Sequence, residues 1–411
     1  MGKALMVYAR EGTIGNNQYY NAAGGDATSG TETNSLFIAP YDLTFTRLGQ
    51  GISAVSAGDS QVHFRNNGAD GNNVTPTLAA AGTSYDTTHS DTVTAGNTFN
   101  FRQGEVGNNT TMIWGKVTLD AGATNHGNIH GISNFAGAVF DVDSATRYSP
   151  LTGAMQADGI TTESQTQWLN RAYTGWQSIH VRVTANARAT DATMVVRNRI
   201  NEGFGGLTVS IGASATGVIA STGTPDTLAN ADRLNTSITL GADSLADLTI
   251  SAIWSYLTSS TLKSDTACAG IASFLRAASA TEHFFPIGGR VTTFFPGTTT
   301  LTDATARIAP GFAATCSNFR FNVLVNTYTG TATFKVYKNG VEVMSIDVAT
   351  LATGWHEYTA TTFDIDDDDE LSFSVQGGTA TGASGMAIGS CGITFSPIAA
   401  GKPWNAYAQQ Q

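Results

Sequence analysis

Charge is scarce in this sequence, and positive charge is the scarcer kind. Only 13% of the 411 residues are Asp, Glu, Lys or Arg, whereas an average globular chain has about 25%. The 21 Lys and Arg residues are outnumbered by 32 Asp and Glu residues, which gives a net charge of -11. Because such a chain repels a phosphate backbone on average, we expect no nucleic-acid partner.

Long apolar runs are absent as well. No stretch approaches the roughly 20 apolar residues that a membrane-spanning helix needs. The amino-terminal sequence MGKALMVYAREGTIGNN lacks the apolar run of about 7 to 15 residues that marks a secretory signal peptide. We therefore expect no membrane partner, no export by a cleaved signal, and synthesis in the cytoplasm.

Cysteines and the short motifs of common enzymes are also few or missing. The three cysteines, Cys268, Cys316 and Cys391, form no CxxC pair, so we expect buried free thiols, with a bridge between Cys316 and Cys391 as the alternative. No GxSxG, GKS, GKT or HExxH string occurs. We expect a protein that is not an enzyme and needs no cofactor. A polysaccharide hydrolase is the alternative, because its paired carboxylates meet in space and leave no motif.

Small and β-branched residues are abundant instead. The chain contains 45 Gly among many Thr, Ser, Asn and Ala residues. Thr and Val fit the pleated surface of a strand, while Gly and Asn accept the positive φ angles of tight turns. This composition predicts an all-β protein.

A set of five sequence elements occurs three times in the same order. Each copy opens on an aromatic residue followed five residues later by Gly, at Tyr19, Tyr148 and Phe284. Segments that alternate apolar and polar residues follow, as in strands with one buried face. The second strand ends in a basic residue and Asn, at Arg65-Asn66, Arg197-Asn198 and Lys338-Asn339. Asn339-Gly340 between two strand-like runs predicts a β-hairpin.

These elements predict three tandem antiparallel β-sandwich units of jelly-roll or immunoglobulin-like type. The expected domains are residues 1–125 with an amino-terminal arm, residues 126–264, and residues 265–411 with a carboxy-terminal tail. Identity between the copies is low, so a chance match among Gly- and Thr-rich strands is the alternative. One short helix is expected from Ile271, ended by Pro286, between the second and third units.

An acidic run is the candidate metal site. In DIDDDDELS, the side chains of Asp364, Asp366 and Asp368 alternate as in a calcium-binding loop. The sixth loop position is Asp369 where such a loop has Gly, and the twelfth is Val375 where it has Glu. We expect a solvated turn, with bound Ca²⁺ as the alternative.

Two other clusters suggest binding. His126 and His130 have metal-ligand spacing only on a helix, and the glycines around them predict a linker loop instead. Trp168, Tyr173 and Trp176 lie close together in WLNRAYTGW and are candidates for contact with a glycan or a partner protein. Their alternative role is packing in a core strand and at a seam between units.

The third unit resembles the β-sandwich modules of tailed-bacteriophage virion proteins, which occur on capsid decoration proteins and tail appendages. The resemblance lies in residues 307–397: a strand ending in the turn KNG, an acidic DELSF segment, and a last strand with the pattern IxxxxIxF. The other two units carry the pattern weakly.

This resemblance implies a non-catalytic structural protein of a phage-like virion, made in the host cytoplasm. A capsid decoration or cement protein that stabilises the particle is the leading interpretation. A tail or head fibre with carbohydrate- or receptor-binding sandwiches is the alternative. The implied partners are capsid or tail proteins of the same particle and further copies of the chain, above all in a homotrimer.

Overall fold

The protein is all-β, and its strands form three sandwich units in chain order. The computed structural model describes residues 3–20, 30–55, 58–105, 110–120, 127–140, 146–151, 153–154, 160–188, 194–240, 248–260, 263–275, 282–287, 289–290, 302–377 and 385–398. In this part of the chain the six sheets form three pairs. The strands of the first pair lie within residues 3–120, those of the second within 127–258 and those of the third within 264–397. The domain limits given above stay a prediction, because sheets do not define independently folding pieces.

Unit 1 contains a 3₁₀ turn at Glu32–Asn34 and its own set of strands. The strands are β1 (Lys3–Ile14), β2 (Gln18–Tyr20), β3 (Phe37–Ile38), β4 (Leu43–Val55), β5 (Ser60–Asn66), β6 (Ala69–Val74), β7 (Gly82–Tyr85), β8 (Ser90–Val93), β9 (Thr98–Glu105) and β10 (Thr110–Asp120).

Unit 2 contains a 3₁₀ turn at Glu163–Gln165. Its strands are β11 (Gly127–Phe140), β12 (Thr146–Ser149), β13 (Gly153–Ala154), β14 (Trp168–Leu169), β15 (Gly175–Asn186), β16 (Met194–Ile200), β17 (Gly203–Ile211), β18 (Gly217–Ala220), β19 (Thr222–Gly223), β20 (Asp226–Thr227), β21 (Arg233–Thr239) and β22 (Leu248–Thr258).

Unit 3 has the one-turn helix α1 (Asp303–Ala306) at the place of those 3₁₀ turns. Its strands are β23 (Ser264–Leu275), β24 (Glu282–Pro286), β25 (Gly289–Arg290), β26 (Ala314–Asn326), β27 (Ala332–Lys338), β28 (Val341–Val348), β29 (Gly354–Tyr358), β30 (Phe363–Ile365), β31 (Leu371–Gln376) and β32 (Met386–Pro397).

The three units share one strand order. In unit 1 the sheets are β1-β10-β4-β7, with β8 also beside β4, and β2-β9-β5-β6, with β3 beside β9. Unit 2 has β13-β11-β22-β15-β18, with β20 beside β15, and β12-β21-β16-β17-β19, with β14 beside β21. Unit 3 has β25-β23-β32-β26-β29, with β30 beside β26, and β24-β31-β27-β28. The first long strand lies beside the last, and the chain crosses repeatedly between the two sheets, as in a jelly roll. The hairpins β5–β6, β16–β17 and β27–β28 each stay within one sheet.

Antiparallel pairing dominates, and aromatic side chains fill the space between the two sheets of a unit. The described parallel pairs are the two-residue contacts of β13 with β11 and of β25 with β23. In unit 1 the rings of Phe45 on β4 and Phe64 on β5 lie 4.8 Å apart. In unit 3 Phe321 on β26 stacks on Phe334 of β27 at 3.7 Å. Alternation of buried and half-buried residues along these strands produces this one-sided packing.

The hairpin after the second long strand has the same backbone in every unit. Its first turn residue is Asn67, Asn201 or Asn339, with φ of 48°, 51° and 50°. Each Asn side-chain oxygen accepts a backbone N–H from the next strand region, at Thr98, Arg233 and Glu370 respectively. Asn tolerates this left-handed conformation better than most residues. The hairpin predicted at Asn339-Gly340 is therefore confirmed.

The hairpins also correct the alignment of the second and third copies, since Arg65 lies two positions before its turn Asn, Arg197 four and Lys338 one. Since Asn201 matches Asn67 and Asn339, the residue of unit 2 equivalent to Arg65 is Arg199, two positions after Arg197. The guanidinium of Arg65 lies over the ring of Tyr19, and that of Arg199 over Tyr148. The sequence-based pairing with Arg197-Asn198 was wrong because Glu202 takes the left-handed position, φ 68°, that glycine takes in the other hairpins.

The helix expected from Ile271 is also a wrong prediction in the described residues. Residues 271–275 continue strand β23, which pairs with β32 on both sides of an irregularity between Ala269 and Ser273. The pairing partner supplies hydrogen bonds that outweigh the helix preference of Ala and Leu. Glu282–Pro286 is again a strand, and residues 276–281 lie outside the described part.

A part-buried ion pair lies at the entry to each sandwich. Glu163 in the 3₁₀ turn of unit 2 accepts hydrogen bonds from Arg199 Nε and Nη2, at 2.8 and 2.7 Å. Glu32 and Arg65 form the same pair in unit 1. In unit 3 the acid is Asp303, and its arginine comes from a different position, Arg307.

Replacing Glu163 by Gln should lower the free energy of unfolding by about 2 kcal/mol, since Gln keeps a hydrogen bond but leaves a buried arginine charge unpaired. The Glu163 and Arg199 side chains are only 12% and 9% exposed. Asp303→Asn is the matched control, because Arg307 is 25% exposed, and its cost should be about 1 kcal/mol or less. Urea unfolding of both variants measures this, and equal costs would contradict it.

Candidate functional site

The site that the fold builds is a set of three contacts between the units. In each unit a short segment precedes the long strand β4, β15 or β26 and contacts the next unit. These joint segments are residues 35–41, 166–172 and 306–312. Each contains an apolar residue, Phe37, Trp168 or Ile308, eight positions before the buried residue Phe45, Trp176 or Cys316 of the strand.

Joint 1 connects the segment of unit 1 with unit 2. The Phe37 ring stacks on Trp254 of β22, with centroids 4.8 Å apart and planes at 16°. Tyr41 packs on Tyr256 at 4.5 Å. Arg182 of β15 donates from Nη2 to the carbonyl oxygen of Leu36 at 3.4 Å. Aromatic stacking therefore dominates joint 1.

Joint 2 connects the segment of unit 2 with unit 3 and is polar. The fully buried Arg320 of β26 donates from Nε to the carbonyl oxygen of Leu169 at 2.9 Å. Its guanidinium lies 4.6 Å from the Trp168 ring centroid. Ser390 of β32 donates to the carbonyl oxygen of Gln167 at 3.3 Å. At the rim, Arg171 forms a two-pronged ion pair with Glu357 of β29.

Joint 3 returns from unit 3 to unit 1 and closes the set. Thr118 of β10 donates from Oγ1 to the carbonyl oxygen of Pro310 at 2.6 Å. The Tyr85 hydroxyl accepts the backbone N–H of Ala309 at 3.2 Å. Lys116 is fully buried here, and burial together with the charge of Arg47 holds the pKa of its ammonium well below the usual value. Gly311 has φ 85°, and a Cβ there would lie 2.8 Å from Thr118 Oγ1.

The hydrophobic cores run through these joints. Trp254 and Tyr256 of unit 2 belong to the buried cluster of unit 1. Ile113 and Trp114 of unit 1 belong to that of unit 3. Trp355 of unit 3 packs against the cluster of unit 2. Each unit thus contacts the other two in the order 1 to 2, 2 to 3 and 3 to 1, the head-to-tail pattern that closes a ring.

The acidic turn lies at the rim of joint 3. Arg47 of unit 1 pairs with Asp367 at 2.5 Å and Asp368 at 3.3 Å. Asp364 accepts a hydrogen bond from Thr315. In the described part of the chain no group of three or more His, Cys, Asp or Glu side chains is placed to hold a metal ion. The turn forms a contact between units through Arg47, and calcium binding by Asp364, Asp366 and Asp368 stays a prediction.

The aromatic cluster is buried. Trp168, Tyr173 and Trp176 are 2%, 2% and 0% exposed, so none presents a free face to a sugar. Trp176 points into the core of unit 2, and Trp168 lies in joint 2. The Tyr173 hydroxyl is 2.8 Å from His130 Nε2. His126 lies outside the described residues, whereas His130 lies in strand β11, so the predicted linker loop is wrong at His130.

Burial favours the neutral form of two histidines, the buried His130 and the part-buried His180. Burial lowers the pKa of His130 to about 3 and that of His180, which stacks on Trp254 at 5.3 Å, to about 4. The unfolded chain binds these protons near pH 6.5. The stability they contribute is therefore fully present above pH 6.5 and is lost as the pH falls towards 4.

We expect the urea midpoint to fall between pH 7 and pH 5. Below pH 6.5 the free energy of unfolding should decrease by up to about 1.4 kcal/mol per pH unit for each histidine. The double variant His130→Gln, His180→Gln is neutral throughout and should flatten the profile. A wild-type midpoint that stays level over this range, or an unchanged slope in the double variant, would contradict the assignment.

Two of the three cysteines are free thiols in the structure. Cys316 and Cys391 are buried and unbridged, and burial raises the pKa of the Cys316 thiol well above its usual value. Cys268 lies in β23 opposite Cys391 in the strand register. The described residues also contain no helix with the length and apolar character needed to cross a membrane.

The alternative role given to the aromatic cluster is confirmed, because Trp176 packs in a core strand and Trp168 at a seam between units. Sequence reasoning missed joints 1 and 3. A signal was present: the short runs SLFIAPY, TQWLNRAY and ARIAPGF each place an apolar residue eight positions before an apolar residue of the long strand that follows. These runs are too short and too irregular to be core strands. Their repetition at the same spacing indicates a contact outside their own sandwich.

Comparison with known proteins identifies no family. No protein-family model and no curated protein sequence matches the chain. Among solved structures, it is similar to an insecticidal delta-endotoxin of Bacillus thuringiensis, at 11% identity and a TM-score of 0.18 over 95% of this chain and 60% of that one. It is also similar to a triple jelly-roll protein from the turret assembly of an archaeal virus, at 10% identity and a TM-score of 0.18 over 95% and 91%. At these TM-scores neither similarity carries an argument about function.

Proposed function

We propose that the protein is a non-catalytic structural component of a phage-like virion, and specifically a capsid decoration or cement protein. The resemblance of residues 307–397 to virion sandwich modules supports the virion setting. The joints support the structural role, because a chain that buries aromatic rings and an arginine between its units behaves as one stiff body.

The observation that carries this proposal is the closed order of the joints. Three units in tandem need only two contacts, one between each pair of consecutive units. The third contact joins residues 306–312 of unit 3 to unit 1, which are not consecutive, and so makes the whole chain stiffer. A stiff body of three similar faces is suited to bridging neighbouring subunits of a symmetric shell. Its neutral hydrogen-bonding surface suits such contacts.

The expected homotrimer stays a prediction of the sequence. Because the three joints are completed within one chain, an assembly of several chains would use the outer hairpins and loops. Sedimentation equilibrium distinguishes one chain from three.

Purified particles test the proposed function. We expect the protein in virions, and antibody label over the shell in negative-stain images. Particles that lack it should release their genome at a lower temperature than complete particles. Its absence from virions would overturn the proposal, and label confined to the tail would replace the cement role by a fibre role.

A further inference from the structure

The β16–β17 hairpin of unit 2 differs from its counterparts at one position. Three residues after the shared turn Asn, units 1 and 3 have an acid, Asp70 or Glu342, while unit 2 has Phe204. Asp70 pairs with Arg65 at 2.6 Å and with Arg102 at 2.7 Å. Glu342 pairs with Lys335 at 3.2 Å. In these two hairpins a carboxylate of the chain itself therefore neutralises the neighbouring cations.

In unit 2 an exposed aromatic ring takes the place of that carboxylate. Phe204 is 55% exposed, and the guanidinium groups of Arg197 and Arg199 each lie 4.4 Å from its centroid. Arg199 is neutralised by Glu163. The Phe204 ring therefore interacts with two cations while more than half of the residue is exposed to water.

Arg197 is the cation of this hairpin that has no carboxylate partner among the described residues. It occupies the position of Lys335 in unit 3, but no described carboxylate lies within ion-pair distance of it. Its Nη2 donates to the carbonyl oxygen of Gly205 at 3.1 Å, and its Nε is buried without an acceptor in the described part of the chain. In the described part of the chain, the Arg197 guanidinium therefore has no carboxylate partner of the kind that Lys335 has in unit 3.

We propose that Arg197 and Phe204 form a docking point for an acidic segment of a protein partner. A Glu or Asp side chain of that segment supplies in trans the carboxylate that Asp70 and Glu342 supply in cis, and its methylene groups pack on the Phe204 ring. Arg and aromatic residues are the types that dominate binding energy at interfaces, and an arginine with a carboxylate gives a strong charge-assisted pair. The partner's membership of a virion rests on the proposed function, whereas its acidic character rests on this hairpin alone.

A fluorescent hexaglutamate peptide, with hexaglutamine as its neutral counterpart, tests the docking point by fluorescence anisotropy at low salt. We expect hexaglutamate to bind the wild type at least about tenfold more tightly than hexaglutamine. Phe204→Glu copies unit 3 by building the acid in cis, and it should lose this preference, as should Arg197→Gln. Lys335→Gln removes an already paired cation and should leave binding unchanged.

Equal binding of the two peptides by the wild type would overturn the proposal, and so would a Phe204→Glu variant that binds hexaglutamate as tightly as the wild type. Urea unfolding of each variant confirms that it is folded, and Phe204→Glu alone decides the matter if Arg197→Gln unfolds. Peptide binding together with absence from virions would remove the virion role and leave the docking point standing.

Discussion

Trp254→Ala should lower the free energy of unfolding by about 3 to 5 kcal/mol, the usual cost of emptying the site of a buried Trp. The indole is 1% exposed and lies between Phe37 of unit 1 and His180 of its own unit, parallel to both rings. The loss falls on joint 1, so limited proteolysis should also cut the variant between units 1 and 2 sooner than the wild type.

Leu351→Ala is the control for this variant, since Leu351 is 63% exposed and its removal should change stability by no more than about 0.5 kcal/mol. A cost below about 1 kcal/mol for Trp254→Ala would mean that the indole is not packed between the two units.

Arg320→Ala should cost about 3 kcal/mol or more, because a buried charge-assisted network disappears and leaves buried acceptors unpaired. The guanidinium is fully buried and donates to the carbonyl oxygens of Leu169 and Asn318 and to the hydroxyl of Thr394. It also supports the Trp168 ring from the opposite unit. Urea unfolding measures the cost, and the fluorescence of Trp168 should shift to longer wavelength as water enters joint 2.

Arg182→Ala is the matched comparison at joint 1. Arg182 is part-buried and makes one long hydrogen bond to the segment of unit 1, so its removal should cost about 1 kcal/mol. If Arg320→Ala costs no more than Arg182→Ala, the polar description of joint 2 is wrong.

Much of the fold could be predicted from local pattern. Tyr19, Tyr148 and Phe284 occupy matching positions in β2, β12 and β24, each opposite the strand that follows the hairpin. Alternation and turn residues act over a few positions, so they are visible in the sequence. The jelly-roll strand order could not be predicted from the sequence. Several ways of pairing the same strands satisfy the same alternation of apolar and polar residues.

The candidate sites could not be predicted in the same way. The residues next to Trp168 in the sequence are typical of an exposed binding site. Arg320, which covers the Trp168 ring, is 152 positions away in the chain. The acidic turn around Asp367 likewise meets Arg47 from the far end of the chain. Local composition does not reveal which polar or aromatic groups a distant unit will cover.

Small-angle X-ray scattering tests the closed arrangement of the three units most directly. A compact body of 411 residues should have a radius of gyration of about 22 Å. Three sandwiches of this size strung in a line, with joint 3 open, would give a value of roughly 30 Å. The closed ring predicts the smaller value, and the larger value would contradict it.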